Sequence, residues 1–376
     1  MTPAYDPLPL RAARRARLRG AMAAADLDAL VLTSAANVRY ATGAVPLHGD
    51  ASVEAARPRA AVLAGDAAHV VGVDAPFVPP DVEAHAASRA TFGPSLAPLL
   101  GGARRVGFDR LTPAVAAALG AARLVPADAV VLGARAIKFA AEIALLRAAQ
   151  VANEAAIAEV LPALVPGVAE VELTGLFLAA MARRGVTACH VEPIWCVVPR
   201  DAAAAPWTFP GGLPYRELTG ARRLAAGDQV MIDTGMLRDG YMSDFGCTWT
   251  VGGPTAADRA LRARWQAVVD GVLAVCRPGA TAADLHRAAR AADGGDRPAP
   301  WPVPLYLAHG LGLGGVEPPF VGTDLGLAAE ERMAIAPGMV LVLEPYAWEE
   351  GRGAYRAEQT IAITDDGWTA LSAPPP

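Results

Sequence analysis

The chain has 376 residues, more than one hydrophobic core usually organises, so two domains are expected. Hydrophobic residues make up 53% and charged residues 19%, which excludes a disordered chain. A formal charge of −5 argues against a nucleic-acid or acidic-membrane partner, and no run of about 18 apolar residues escapes charges or prolines. Without the apolar core of a signal peptide behind its basic start, the chain is expected to be cytoplasmic.

An amphipathic helix is predicted over residues 9–25, then a short apolar strand at Ala29–Thr33 and a turn into a helix at Asn37–Gly43. Strand-like runs at 60–64, 69–73 and 105–108 alternate with helical patterns, which predicts an α/β layer over residues 1–134. A long helical signal from Ile137 to about Val160 opens a different regime over residues 135–376. A second helix is predicted at 169–184 and a Pro/Gly-rich connection at 199–214. Further helices are predicted at about 255–276 and 281–292, and the last strands at 339–345 and 355–364. Helices packed with antiparallel hairpins describe an α+β domain. No tandem repeat is visible. The four cysteines, Cys189, Cys196, Cys247 and Cys276, lack CxxC spacing and read as free, buried or half-buried thiols.

The stretch Met231-Ile-Asp-Thr-Gly-Met-Leu-Arg-Asp-Gly-Tyr-Met-Ser-Asp-Phe245 reads as a hairpin with an acid on each strand, Asp233 and Asp244. With Arg238-Asp239 as the two-residue loop, the acids stand directly opposite one another, their Cβ atoms roughly 5 Å apart. With Asp239-Gly240 as the loop, they become diagonal neighbours on the same face. Carboxylates that close repel unless a cation lies between them. A second hairpin, centred on Gly351, sets Glu344 opposite Glu358 inside apolar strands, where an unpaired carboxylate is costly. With His309 in the glycine-rich run His309-Gly-Leu-Gly-Leu-Gly-Gly315, these acids supply five candidate ligands. Four carboxylates and one imidazole suit two divalent ions such as manganese, iron, cobalt or zinc. Such a pair can deprotonate a bridging water and polarise a carbonyl.

These motifs resemble those of the pita-bread metallopeptidases of family M24, which include aminopeptidase P, prolidase, methionine aminopeptidase and creatinase. The resemblance rests on Asp-Thr-Gly…Ser-Asp-Phe, His-Gly-Leu-Gly-Leu…Glu-Pro-Pro, Gly-Met-Val-Leu-Val-Leu-Glu-Pro and Arg-Ala-Glu-Gln-Thr. Ala136–Ala149 is similar to the helix that opens those catalytic domains, and Asp26–Gly43 to the start of the creatinase-type N-terminal domain. The resemblance implies a ribonuclease-H-like α/β domain followed by a pita-bread α+β domain, usually as a homodimer. It implies Asp233, Asp244, His309, Glu344 and Glu358 as ligands of two metal ions, with Glu344 or Glu358 as acid/base groups. The implied reaction is hydrolysis of a C–N bond in a short Xaa-Pro-like peptide or small metabolite.

Peptidases of the family resemble one another in two further histidines, and here Tyr215 and Val316 stand in those places. A tyrosine, with a reference pKa of about 10, is poor at shuttling protons near neutrality, and valine cannot do so. Cys247 and Gln359 also depart from the family pattern, where an arginine and an aspartate are expected. These departures resemble the members that act on small polar metabolites as lyases or ring-opening hydrolases; a peptide-binding protein without catalysis is the third reading. His190 is a candidate proton donor beside Tyr215, and Trp195 and Trp207 are candidate walls of a pocket shared with Tyr215, Val316 and Glu317.

Overall fold

The computed structural model describes residues 6–45, 58–120, 123–186, 188–205, 208–209, 213–215, 219–295, 298–303 and 305–375. Trp207 lies outside them. The chain divides into two compact units, Met1–Arg135 and Ala136–Pro376. Among the described residues no helix is long and apolar enough to cross a membrane, and all four cysteines are free thiols.

The first unit is built on a mixed six-stranded sheet, ordered 83–85, 67–71, 60–64, 29–32, 105–108, 123–126. Alternate residues of these strands, such as Ala29, Val31, Val62, Val71 and Val106, face Phe92, Leu96 and Val115 in a dry core. The helix Ala35–Thr42 starts at Ser34, whose hydroxyl accepts from the Asn37 N–H. Asp109, just past the strand Arg105–Phe108, accepts from the backbone N–H groups of Thr33 (2.8 Å) and Ser34 (3.0 Å) and from Asn37 Nδ2 (2.9 Å). Burial alone would raise its pKa, but these donors outweigh burial and hold it below the ordinary 3.8. Its stabilising contribution is therefore present above the ordinary carboxylate range and lost as pH falls through the lower folded value. Asp109→Ala is expected to cost about 2 kcal/mol, because buried donors lose their acceptor. Denaturant unfolding of the variant checks this, and an unchanged midpoint would refute it.

In the second unit one order of elements occurs twice. Helices Ala140–Val160 and Glu170–Arg183 precede the strand Ile194–Val197 and a long hairpin. Helices Ala256–Val275 and Ala282–Ala292 then precede the strands Ala308–Gly312 and Gly315–Val321 and a second long hairpin. Both later helices begin in a capping box, Thr255 with Asp258 and Thr281 with Asp284. Apolar faces of all four helices meet the sheets in one continuous core containing Phe177, Trp195, Trp265 and Leu341.

Each hairpin is broken midway. In the first, Gln229–Thr234 pairs with Phe245–Thr250, and Met236–Arg238 with Tyr241–Met242, in one unbroken register. Its loop is Asp239-Gly240, with φ of 51° and 80°, the left-handed pair that a two-residue turn of this hand requires. Of the two registers left open for Asp233 and Asp244, this selects the diagonal one. Asp233 stands opposite Gly246, and Asp244 is its diagonal neighbour. Asp-Gly outcompetes Arg-Asp for the turn because both central residues need positive φ. In the second hairpin, Val340–Leu343 pairs with Gln359–Ile363 and Tyr346–Glu349 with Gly353–Arg356, the register of a turn centred on Gly351.

Candidate metal centre

The breaks in the two hairpins are where the acids lie. Asp244, Glu344 and Glu358 fall between strand segments, and Asp233 is the penultimate residue of its strand. Their backbones are held by other partners: the Asp244 N–H donates to Gln150 Oε1 (3.2 Å), Glu344 N–H to the Leu307 carbonyl (2.9 Å), and Glu358 N–H to the Gly246 carbonyl (3.0 Å). That frees the side chains to converge. Ligand oxygens of Asp233, Asp244 and Glu358 all lie within 4.8 Å of one another. His309 Nε2 is 3.2 Å from Asp244 Oδ2 and 3.2 Å from Glu344 Oε1. His309 Nδ1 lies 2.9 Å from the Gly310 carbonyl, which can only accept, so Nδ1 carries a proton. Nε2 is then the nitrogen aimed at the acids.

Arg356, two residues before Glu358, completes the cluster. Its Nη1 is 3.4 Å from Asp233 Oδ2 and its Nη2 is 2.6 Å from Glu358 Oε1, and Nη2 also contacts Glu344. Gly246 makes room for it: a Cβ there would lie 2.5 Å from the Ile232 carbonyl and 2.8 Å from Arg356 Nη1. Arg356 is not among the site residues expected from the sequence. A signal existed, since residues two apart on a strand share a face, and Arg356 shares that of Glu358.

The electrostatics call for more positive charge than the side chains provide. Arg356 and a protonated His309 can balance only two of the four carboxylates. Burial raises the Glu358 pKa well above 4.5, and Asp244 adds to the rise despite Arg356. Burial also raises Asp244, more than its hydrogen bond to His309 lowers it. Glu344 goes the other way: Arg356 and His309 outweigh its burial and hold it low. Burial would depress His309, but Asp244 and Glu344 raise it well above 6.5. Glu358 is 0% exposed, and neither of its carboxylate oxygens meets a well-aligned hydrogen-bond donor. A buried carboxylate left in that state fits a metal ligand. All five donors are hard oxygens or an imidazole, the set that suits divalent first-row ions.

The sign of the Glu358 shift gives a testable pH dependence. A carboxyl whose folded pKa is raised takes up its proton more readily in the folded chain, so it destabilises the fold as pH climbs above the unfolded value near 4.5. Metal-free protein is expected to lose stability as pH rises from there towards neutrality. Glu358→Gln, which removes the titration, is expected to flatten that slope. Melting temperatures of chelator-treated protein across pH check it; parallel curves for the two proteins would refute it.

The acids open into a cavity of about 180 Å³. Asp233, Asp244, His309, Glu344 and Arg356 line it on one side, and Val191, Tyr215, Met242, Pro302, Leu305, Tyr306 and Val316 complete it. Tyr215 is buried, its ring edge-on to Tyr346 (5.7 Å) and Phe209 (5.0 Å). Tyr306 stacks edge-on against His309, with centroids 4.7 Å apart. His190 is anchored by its N–H to the Gly235 carbonyl, and its ring lies so near Gly315 that a Cβ there would sit 2.8 Å from it. Burial lowers the pKa of His190, with Asp244 opposing.

Two sequence-predicted pocket residues are placed elsewhere. Trp195 is 0% exposed and packs against Phe177 at 6.1 Å. Its strand alternates: Ile194 and Cys196 face Tyr215 and Tyr346, so Trp195 faces the helices instead. Glu317 does not line the cavity either. It alternates with exposed Val316, turns inward, and lies 3.9 Å from Lys138 Nζ.

Comparison with known proteins agrees with this architecture. The sequence pattern of metallopeptidase family M24 matches residues 144–365, and that of the creatinase/prolidase N-terminal domain matches residues 14–137. The chain is 29% identical over 253 residues to a probable dipeptidase, PepE, of Mycobacterium tuberculosis, a stretch covering 63% of this chain and 59% of that relative. The chain thus spans less than two-thirds of the first curated relatives it matches. It is 27% identical over 379 residues to the uncharacterized peptidase YqhT of Bacillus subtilis, covering 96% of this chain and 97% of the other. Its fold matches the crystal structure of the prolidase from Pyrococcus horikoshii OT3 with a TM-score of 0.77 at 21% identity, over 96% of this chain and 98% of that one. With a family pattern spanning more than half of its length and both units accounted for, this chain belongs to metallopeptidase family M24 and carries a creatinase-type N-terminal domain ahead of its α+β catalytic domain.

Proposed function

We propose that this protein is a metal-dependent hydrolase that cleaves the C–N bond of a short Xaa-Pro-like peptide or a small amide. The observation that carries this reading is the convergence of Asp233, Asp244, His309 and Glu344 on one small cavity, with a carboxylate oxygen of Glu358 within 4.8 Å of those of Asp233 and Asp244. These five residues would hold two divalent ions, manganese being a candidate for the native metal. When bound, such ions lower the pKa of water and polarise a carbonyl oxygen. The chain's own groups do the rest. Glu344 and Glu358 are the acid/base candidates. Leu305 and Met242 exclude water beside the scissile bond, and Tyr215 and Tyr306 offer hydroxyl donors for orientation. The dipeptidase and prolidase names of the relatives support a short peptide substrate. A homodimer is part of the proposal and is read by light scattering.

One observation favours a second reading, a lyase or ring-opening hydrolase on a small polar metabolite. Among the described residues lining the cavity, His309 is the sole imidazole, and Tyr215 and Val316 occupy the wall. A screen of Xaa-Pro dipeptides with added manganese or cobalt separates the two. Turnover at ordinary enzyme rates, about 1 s⁻¹ or faster, supports the peptidase; silence with metal bound supports the metabolite enzyme. Purified protein that binds no transition metal, with no rescue by manganese or cobalt, would remove both.

A further inference from the structure

We infer that the N-terminal unit holds a divalent transition-metal site of its own, built from His69, Glu83 and His85, with zinc the best-matched ion. The inference is independent of the reading of the catalytic unit. His69 lies on the strand Ala67–Val71, and Glu83 and His85 lie on the edge strand Glu83–His85. The strands pair in parallel, with His69 beside Glu83 and Val71 beside His85, so all three side chains emerge on one face. His69 Nδ1 is 3.2 Å from His85 Nε2 and 3.2 Å from Glu83 Oε2, and His85 Nε2 is 3.8 Å from Glu83 Oε1.

The separation of the two nitrogens is close to one edge of a coordination tetrahedron, and one ligand atom from each of the three side chains lies within 4.8 Å of the other two. Zinc bonds of about 2.0–2.2 Å to nitrogen and oxygen at tetrahedral angles put neighbouring ligand atoms about 3.3–3.5 Å apart. Hydrogen bonding among the three groups alone accounts for this arrangement poorly. A neutral imidazole nitrogen either carries one proton or accepts one. If His69 Nδ1 donates, its one proton must be shared between Glu83 and His85. If it accepts from His85, its lone pair faces the Glu83 carboxylate. A cation at the centre satisfies all three donors at once. Two imidazoles and one carboxylate select zinc-like ions over calcium or magnesium, and a three-ligand set leaves a fourth position for water. The imidazoles are half-buried at the rim of the sheet and Glu83 is exposed, so an ion can enter from solvent. The edge strand has three residues and few ladder hydrogen bonds to fix it, and a bound ion would fasten it to its neighbour.

The test uses the full chain, stripped with a chelator and dialysed against micromolar zinc, with bound zinc per chain measured by elemental analysis. The His69→Ala/His85→Ala double variant is expected to bind one zinc fewer than the parent, with an unchanged far-ultraviolet circular dichroism spectrum. The same loss is expected when the double variant is made in an Asp244→Ala background, which disables the other centre. Equal zinc content with and without the histidines would overturn the site. Glu83→Gln, at an exposed position, guards against a folding failure of the double variant. It should weaken zinc binding at this site by about tenfold or more, and unchanged affinity would also overturn it. If Asp244→Ala by itself abolishes all zinc binding, this inference fails while the catalytic reading stands.

Discussion

Asp244→Ala is expected to abolish turnover while leaving a folded protein. The loss should exceed the roughly 100-fold seen when a group merely supporting a metal ligand is removed, because Asp244 is itself a candidate ligand and sits 3.2 Å from His309 Nε2. Stability should not fall with activity. The pKa of Asp244 is raised by burial and by its acidic neighbours, which means that its ionised form opposes folding in metal-free protein. Removing it relieves repulsion, and little core area is lost with a short polar side chain. Metal content, turnover and unfolding midpoint measured on one preparation check this. A variant that keeps its metal but fails to fold would show Asp244 to be structural.

Arg356→Ala is expected to act in the opposite sense, costing metal-free protein about 3–5 kcal/mol, the range for removing one partner of a buried ion pair. Arg356 contacts Asp233, Glu344 and Glu358 and is itself buried, so its loss leaves carboxylates with no compensating charge but His309. Divalent ions would supply that charge. The destabilisation should therefore shrink when manganese is added, since an ion that binds only the folded chain stabilises it by mass action. Melting temperatures of parent and variant, each with chelator and with manganese, give the four values needed. A loss of the same size in both conditions would show that Arg356 acts through packing and not through charge.

Much of this was legible because it is local. Helix starts show in their capping residues, as at Thr255 and Asp258, and strand faces show in period-two alternation. The register of the second hairpin follows from the glycines around its turn, so Glu344 and Glu358 could be placed on one face before any coordinates. The same reasoning left two registers open for Asp233 and Asp244, since both candidate turns fit the spacing. Positive φ at Asp239 and Gly240 closed that choice. Cofactor class was also legible, because four acids in apolar strands demand cations whatever the fold.

The sequence by itself carried the division into two units, through composition and periodicity, and the family, through contiguous motifs that resemble those of its members. Only the tertiary structure decided which way each side chain faces and which charges meet. Trp195 turns to the helices on a strand fixed by its pairing with Gln229–Thr234, and Glu317 turns inward towards Lys138, each partner being distant in sequence. Arg356 gains its importance from Gly246, a hundred and more residues earlier, which leaves space for a guanidinium among the acids. His69, Glu83 and His85 converge through one parallel strand pairing that no local pattern announces. Burial and long-range pairing set the electrostatics, and neither is written in any short stretch of the chain.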